Sequence, residues 1–395
     1  MDKIEEVLTR GVEKIYPSKE ALEKVLRSGK KIRLYQGFDP SMPNLHLGNI
    51  VGVLKLKQFQ DLGHEVIFLV GDFTGMIGDP TDKKSSRPQL TRKQVLENCK
   101  NWKEQAGKIL EFSGKNPAKF LYNSQWLSKL SFNELLNLAH HLTYQQTIKR
   151  DMFRERLKQG RDLYLHEFLY PLMQGYDSVH MDVDLEIGGS DQMFNMLVGR
   201  DLMKKLKNKE KFVLTTKLLI DSNGEKVGKT TGNALFLNTS SIDIYSGVMS
   251  FPDEVVILSF ELLTLVPLQT IKSLGEDLSP IDLKKRLAFE IVKMYHSEKE
   301  AEEAQKNFEK VFQKREIPGE NISVCQIKPV DKDNIIKILT ENGLVSSNSE
   351  AKRLIAQGGV DVDGATVKEI SEVKMKDGSI IKAGKRKFLK IKIKK

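Results

Sequence analysis

One short run limits what this chain can fold into more than any other: Glu65-Val-Ile-Phe-Leu-Val-Gly-Asp72, apolar without interruption from Val66 to Val70. A strand with no polar alternation is buried on both faces, which happens where helices cover both sides of a parallel sheet. Upstream, Lys31-Ile-Arg-Leu-Tyr35 reads as another strand, and Ile50 to Phe59 is apolar at helical spacing before a stop at Gly63. Strand, helix and strand within about forty residues make a βαβ unit. The fold expected is α/β, with a Rossmann-like, doubly wound parallel sheet. Sites for small molecules then lie beyond the carboxyl ends of the strands, where Tyr35–Asn49 and Asp72–Asp79 fall.

A chain of 395 residues predicts two or three domains. Lysine and arginine number 63 against 53 acidic residues, and the resulting +10 points to a polyanionic partner without naming one. Cys99 and Cys325 lie far apart, which argues against a disulfide framework or a zinc site; no protein-bound metal is expected. Apolar runs stay short of membrane-spanning length, and the acidic start Met1-Asp-Lys-Ile-Glu-Glu is unlike a signal peptide. No membrane partner is expected, and the expected location is the cytoplasm.

In chain order, Ile4, Val7, Leu8, Val12 and Ile15 recur at helical spacing, and a second helix ends at Ser28-Gly29. Gly71–Pro80 is glycine-rich but lacks the lysine-serine ending of a Walker loop. Thr81-Asp-Lys-Lys-Ser-Ser-Arg-Pro88 is polar and basic, either a solvated loop or a flap that closes over phosphates. Helix follows from Thr91 to about Phe112, then a strand at Ala118–Tyr122, and mostly helix over 124–177. Within that stretch Tyr170, Gln174 and Asp177 stand at i, i+4 and i+7, one helix face carrying a phenol, a carboxamide and a carboxylate among apolar neighbours. Such a stripe suits the polar wall of a pocket. Asp184-Leu-Glu-Ile-Gly-Gly-Ser-Asp-Gln192 runs from strand to helix; Asp191 and Gln192 there are first-turn side chains projecting into a crevice, or else Ser190 or Asp191 simply caps the helix. A last strand, Phe212–Ile220, opens onto Asp221–Asn233, which carries two lysines three apart among glycines and threonines. Ser241 to about Lys314 is helical and proline-punctuated, a separate helical domain. A linker is expected over 319–333, then a compact basic unit from Asn334 to Lys395 with a helix capped by Ser349 and an Asp-Gly hairpin in Val360–Val367. From Asp331 onward there are 15 basic and 9 acidic residues, so about +6 of the net charge sits here, as an RNA-binding surface requires.

Taken together these motifs resemble the bacterial tyrosyl-tRNA synthetases, class I aminoacyl-tRNA synthetases, over essentially the whole chain. His46-Leu-Gly-Asn49 stands where that class carries its HIGH signature and Lys226-Val-Gly-Lys-Thr230 where it carries KMSKS. Tyr35-Gln-Gly-Phe-Asp-Pro, Gly78-Asp-Pro, Tyr170–Asp177 and Gly188-Gly-Ser-Asp-Gln192 match the tyrosyl branch in order and spacing. Asn334–Lys395 resembles an S4 RNA-binding domain. The resemblance implies a catalytic domain over 1–233, a helical anticodon-binding domain over 234–318 and an S4 domain over 334–395. It implies tyrosine, ATP with Mg²⁺, and tRNA(Tyr) as partners, and a homodimer joined through the helical region of the catalytic domain. Tyr35 and Asp177 would bracket the substrate phenol, Asp79, Tyr170 and Gln174 its ammonium, and Gln192 would lie near its carboxylate. Gly37, Asp39, Ser41, His46, Gly48, Asn49 and Asp191 would line the ATP side. Lys83, Arg87, Lys226, Lys229 and Thr230 would neutralise the charge growing on pyrophosphate.

Asn49 replaces the last histidine of HIGH, and its amide can still donate to a phosphate. Gly228 and Thr230 replace both serines of KMSKS while Lys229 is kept. Two other readings share the fold: an RNA-binding paralogue without catalysis, and a tryptophanyl-type ligase. Tyr35, Asp177 and the basic terminal unit argue against the second.

Overall fold

A computed structural model describes residues 2–79, 89–220, 235–310, 323–327, 334–345, 347–367, 373, 375–384 and 387–393. The chain divides into two compact units, Met1–Gln305 and Lys306–Lys395.

In the first unit the elements run α1 (Lys3–Thr9), β1 (Val12–Tyr16), α2 (Lys19–Arg27), β2 (Arg33–Phe38), α3 (Leu47–Asp61), β3 (Glu65–Val70), α4 (Thr74–Ile77), α5 (Arg92–Asn98), α6 (Trp102–Ala106) and β4 (Lys119–Tyr122). There follow α7 (Ser124–Leu127), α8 (Phe132–Ala139), α9 (Tyr144–Ile148), α10 (Asp151–Lys158), α11 (Leu165–Met181), β5 (Leu185–Gly189), α12 (Met193–Lys207) and β6 (Phe212–Thr216). The sheet order is β1-β6-β5-β2-β3-β4, with every pairing parallel except β1 against β6. The strand sequence turns back on either side of β2, so the crevice beyond its carboxyl end is the ligand position of such sheets. Phe38, Phe68 and Phe120 stack across neighbouring strands at 4.5 and 5.2 Å between centroids, filling one face.

The expected N-terminal helix is shorter than its periodicity suggested. It stops at Thr9, Gly11 takes a positive φ of 62°, and Val12–Tyr16 becomes the antiparallel edge strand. The helix expected over 91–112 breaks into α5 and α6.

Five further helices complete the run: α13 (Ser241–Met249), α14 (Val256–Leu263), α15 (Leu268–Asp277), α16 (Pro280–Tyr295) and α17 (Glu298–Phe308). The expected boundary near 233 is not a break in packing. Arg10, 3% exposed, donates to the carbonyls of Phe260, Thr264, Glu261 and Val266. One buried guanidinium thus satisfies the carbonyls that end α14 and binds it to the N-terminal segment.

The second unit contains β7 (Ser323–Ile327), α18 (Ile335–Glu341), α19 (Asn348–Ala356), β8 (Val360–Val362), β9 (Ala365–Thr366), β10 (Ile380–Ala383) and β11 (Lys387–Ile393). Its sheet order is β7-β11-β10-β8-β9. Residues 323–327, expected within a linker, instead form an edge strand parallel to β11. Ser347, rather than Ser349, caps α19 by accepting from Glu350 N–H. The hairpin turns on Asp363-Gly364, both at positive φ as a two-residue turn requires.

Candidate active site

Thirteen of the expected site residues are described, and all of them line one cavity of about 900 Å³ beyond the carboxyl ends of β2, β3 and β5: Tyr35, Gly37, Asp39, Ser41, His46, Gly48, Asn49, Asp79, Tyr170, Gln174, Asp177, Asp191 and Gln192. Lys83 and Arg87, and Lys226, Lys229 and Thr230, lie outside the described residues.

The first wall is the turn from β2 into α3. His46 occupies the cap position, and its backbone N–H donates to Asn49 Oδ1 at 3.0 Å. That bond engages the carboxamide oxygen and leaves the NH₂ group as the donor of Asn49. Leu45 and Leu47 on either side of His46 exchange backbone bonds with Leu237 and Leu235. The chain just beyond the second, lysine-bearing signature is therefore tied by its backbone to the first.

Asp39 is the junction of the cavity. It accepts from Thr74 Oγ1 at 2.7 Å and from the Tyr170 hydroxyl at 2.8 Å. Gly71 permits this approach, since a Cβ there would overlap both Asp39 Oδ1 and Thr74 Oγ1. Burial pushes the Asp39 carboxyl up to about 7, with the two hydroxyl donors pulling it back and Asp79 and Asp72 adding to the rise. Asp79 in turn accepts a bond from Gln192 Nε2. Tyr170, expected on the amino-acid side, and Asp39, expected on the ATP side, meet directly within one continuous cavity.

Tyr170, Gln174 and Asp177 share the cavity face of α11, as their spacing required. Asp177 is buried at the deep end. Its Oδ1 accepts from Trp126 Nε1 at 2.7 Å and its Oδ2 from Asn123 Nδ2 at 3.2 Å. Burial drives its pKa well up, while these two donors lower it. Tyr35 is buried beside it and meets Ser178 Oγ at 2.9 Å.

Sequence reasoning missed Asn123 and Trp126. Asn123-Ser-Gln-Trp126 directly follows β4, and the rule that pointed to Tyr35–Asn49 applies equally there. It also missed Thr74, Ser178, Glu186 and Lys211, whose partners come from distant elements.

The family described as tRNA synthetases class I (W and Y) matches residues 27–313. The chain belongs to that family. Relatives of the synthetase include the tyrosine–tRNA ligase of Carboxydothermus hydrogenoformans, 42% identical over 98% of this chain and 97% of that one. The tyrosine–tRNA ligase of Thermotoga maritima is 41% identical over 98% and 96%. Among solved structures, a C-terminally truncated mitochondrial tyrosyl-tRNA synthetase of Coccidioides posadasii superposes with a TM-score of 0.64 at 25% identity, covering 78% of the synthetase and 91% of that chain.

Proposed function

We infer that this synthetase is a tyrosine–tRNA ligase: it joins L-tyrosine to ATP, forming tyrosyl-adenylate and pyrophosphate, and passes the tyrosyl group to the terminal adenosine of tRNA(Tyr). The observation that carries the reading is a buried pair of polar side chains in the wall of the cavity. Asp177 and Tyr35 are buried side by side there, with Asp177 already holding two donors. A pocket of this kind takes a phenol and leaves a buried carboxylate short of its ligand when phenylalanine enters.

Activation needs the tyrosine carboxylate brought in line with the α-phosphorus more than it needs an enzymic nucleophile. On this reading Tyr35 and Asp177 take the phenol, and Asp79, Tyr170 and Gln174 the ammonium. Gln192 lies by the carboxylate. Gly37, Asp39, Ser41, His46, Gly48, Asn49 and Asp191 hold ATP, with the α3 N-terminus turned to its phosphates. Lys83, Arg87, Lys226, Lys229 and Thr230 offset charge on the departing pyrophosphate. Mg²⁺ arrives on the ATP phosphates as part of the substrate; among the described residues no group of three or more His, Cys, Asp or Glu could hold a metal ion. The helices after Ser241 and the basic second unit serve tRNA.

Two copies pair through α8–α11 on this reading. Phe132 and Leu165 are 76% and 84% exposed there, with Leu136 and Tyr144 also exposed, an apolar surface that a partner would cover. Among the described residues no helix is long and apolar enough to cross a membrane, and the cytoplasm is the proposed location. The deciding experiment is ATP–pyrophosphate exchange with tyrosine, with tryptophan and with no amino acid. Exchange with tyrosine alone is expected. Exchange with tryptophan, or none at all, would remove the assignment.

A further inference from the structure

Beneath the cavity floor lies an ion pair to which the proposed chemistry gives no part. Lys211 and Glu186 are 0% and 1% exposed, and Lys211 Nζ bonds Glu186 Oε2. Lys211 also donates to Ser178 Oγ at 2.9 Å, and Ser178 donates to Glu186 Oε2 at 3.2 Å. The other carboxylate oxygen, Oε1, accepts from Gln174 Nε2 at 3.0 Å. Four elements meet at this point: α11, β5, α12 and the residue before β6. Gly199 on α12 allows the approach, since a Cβ there would lie 2.6 Å from Lys211 Nζ and 3.1 Å from Ser178 Oγ.

A fully buried ion pair contributes little net stability, and apolar side chains of similar volume often serve as well. What this pair does is fix protons. Lysine only donates, and an ionised carboxylate only accepts. The single Ser178 proton goes to Glu186, so the Ser178 oxygen accepts from both Lys211 and Tyr35. Tyr35 is a neutral phenol, held far from ionising by its burial and by the Glu186 charge. Its hydroxyl faces two acceptors, Ser178 Oγ at 2.9 Å and the Gln174 carbonyl oxygen at 3.4 Å, which together hold its orientation. Gln174 is turned in the same way. With its NH₂ bound to Glu186, its oxygen is the end left to accept.

We propose that Lys211 and Glu186 are positioning residues for amino-acid recognition: directly they turn the Gln174 oxygen to accept from the substrate's ammonium, and through Ser178 they hold the Tyr35 hydroxyl in place beside the substrate's phenol. The inference rests on the tyrosine reading of the cavity. It extends the specificity device from the residues that touch substrate to a buried charge pair behind them.

The test is the double variant Glu186→Gln/Lys211→Met in the full-length enzyme. It keeps side-chain volume and strands no single buried charge. The carboxamide introduced by Glu186→Gln can donate to Ser178 and reverse the proton order. Thermal denaturation is expected to stay near the parent's, while KM for tyrosine in the exchange assay rises about ten-fold, the scale of one lost hydrogen bond, and KM for ATP is unmoved. A stable double variant with the parent's KM for tyrosine would overturn the proposal, because a merely structural pair predicts that recovery. Should the double variant fail to fold, Ser178→Ala removes one hydroxyl from the same relay. The same split between the two KM values is expected of it, and equal changes in both would overturn the proposal. A parent enzyme without tyrosine-dependent exchange would instead strike at the proposed function.

Discussion

Burial holds the Asp39 carboxyl at about 7 against an ordinary value near 3.8. Between those values the native chain keeps a proton that the unfolded chain has lost. Asp39 therefore withdraws stability as pH rises from about 4 to about 7. Asp39→Asn should gain stability relative to the parent across that window, read by urea denaturation at several pH values; a difference that stays flat would contradict the account. Asp177 has a different task. Asp177→Ala strands the donors of Trp126 and Asn123 and, on the proposed reading, removes the acceptor of the substrate phenol. Its kcat/KM for tyrosine in exchange should fall by about a hundred-fold or more, with a much smaller effect on phenylalanine. At this scale the sequence was partly readable. Tyr170, Gln174 and Asp177 were visible because helical spacing alone puts them on one face. Glu186 and Lys211 were not, because a charge within a strand or just before one reads as solvent-facing until a distant partner is known.

Among the elements, α12 shows how far local preference yields to packing. Alanine is the better helix former, so Gly199→Ala would stabilise an isolated helix by about 1 kcal/mol. Here the new methyl meets Lys211 and Ser178, both buried. A loss of about 1–3 kcal/mol is expected in urea denaturation, accompanied by a raised KM for tyrosine. A stabilised variant would show that the junction has slack. The βαβ core was legible because an unbroken apolar run as short as Val66–Val70, bounded by Glu65 and Gly71, suits a strand covered on both faces and little else. The N-terminal segment was not: Val7, Leu8, Val12 and Ile15 fit a helix, and only pairing with β6, some two hundred residues away, makes a strand of Val12–Tyr16. Residues 323–327 escaped notice for the same reason, since their partner is β11.

For the whole molecule, charge and exposed apolar surface make separate predictions. Lys352 and Arg353 are exposed on α19. If the second unit holds RNA phosphates, Lys352→Gln/Arg353→Gln should weaken tRNA binding and flatten its dependence on log salt by about one unit per lost contact, with tyrosine-dependent exchange unchanged. An unchanged salt slope would place the RNA elsewhere. Phe132→Glu/Leu136→Glu should turn a dimer into a monomer in sedimentation measurements; a parent that is already a monomer would overturn the pairing.

Both sheets join an early segment to a late one. β1 waits for β6, and β7 lies against β11. During synthesis the first sheet can close once Thr216 has emerged, whereas the second lacks the strand that joins β7 to β10 until residues 387–393 are free. A ribosome halted after the helices that follow Ser241 have emerged, but before β11, would carry a chain whose cavity is already lined but whose second unit is still open. Order of assembly, set by strand pairing alone, would let the cavity take its ligands before the second unit has folded.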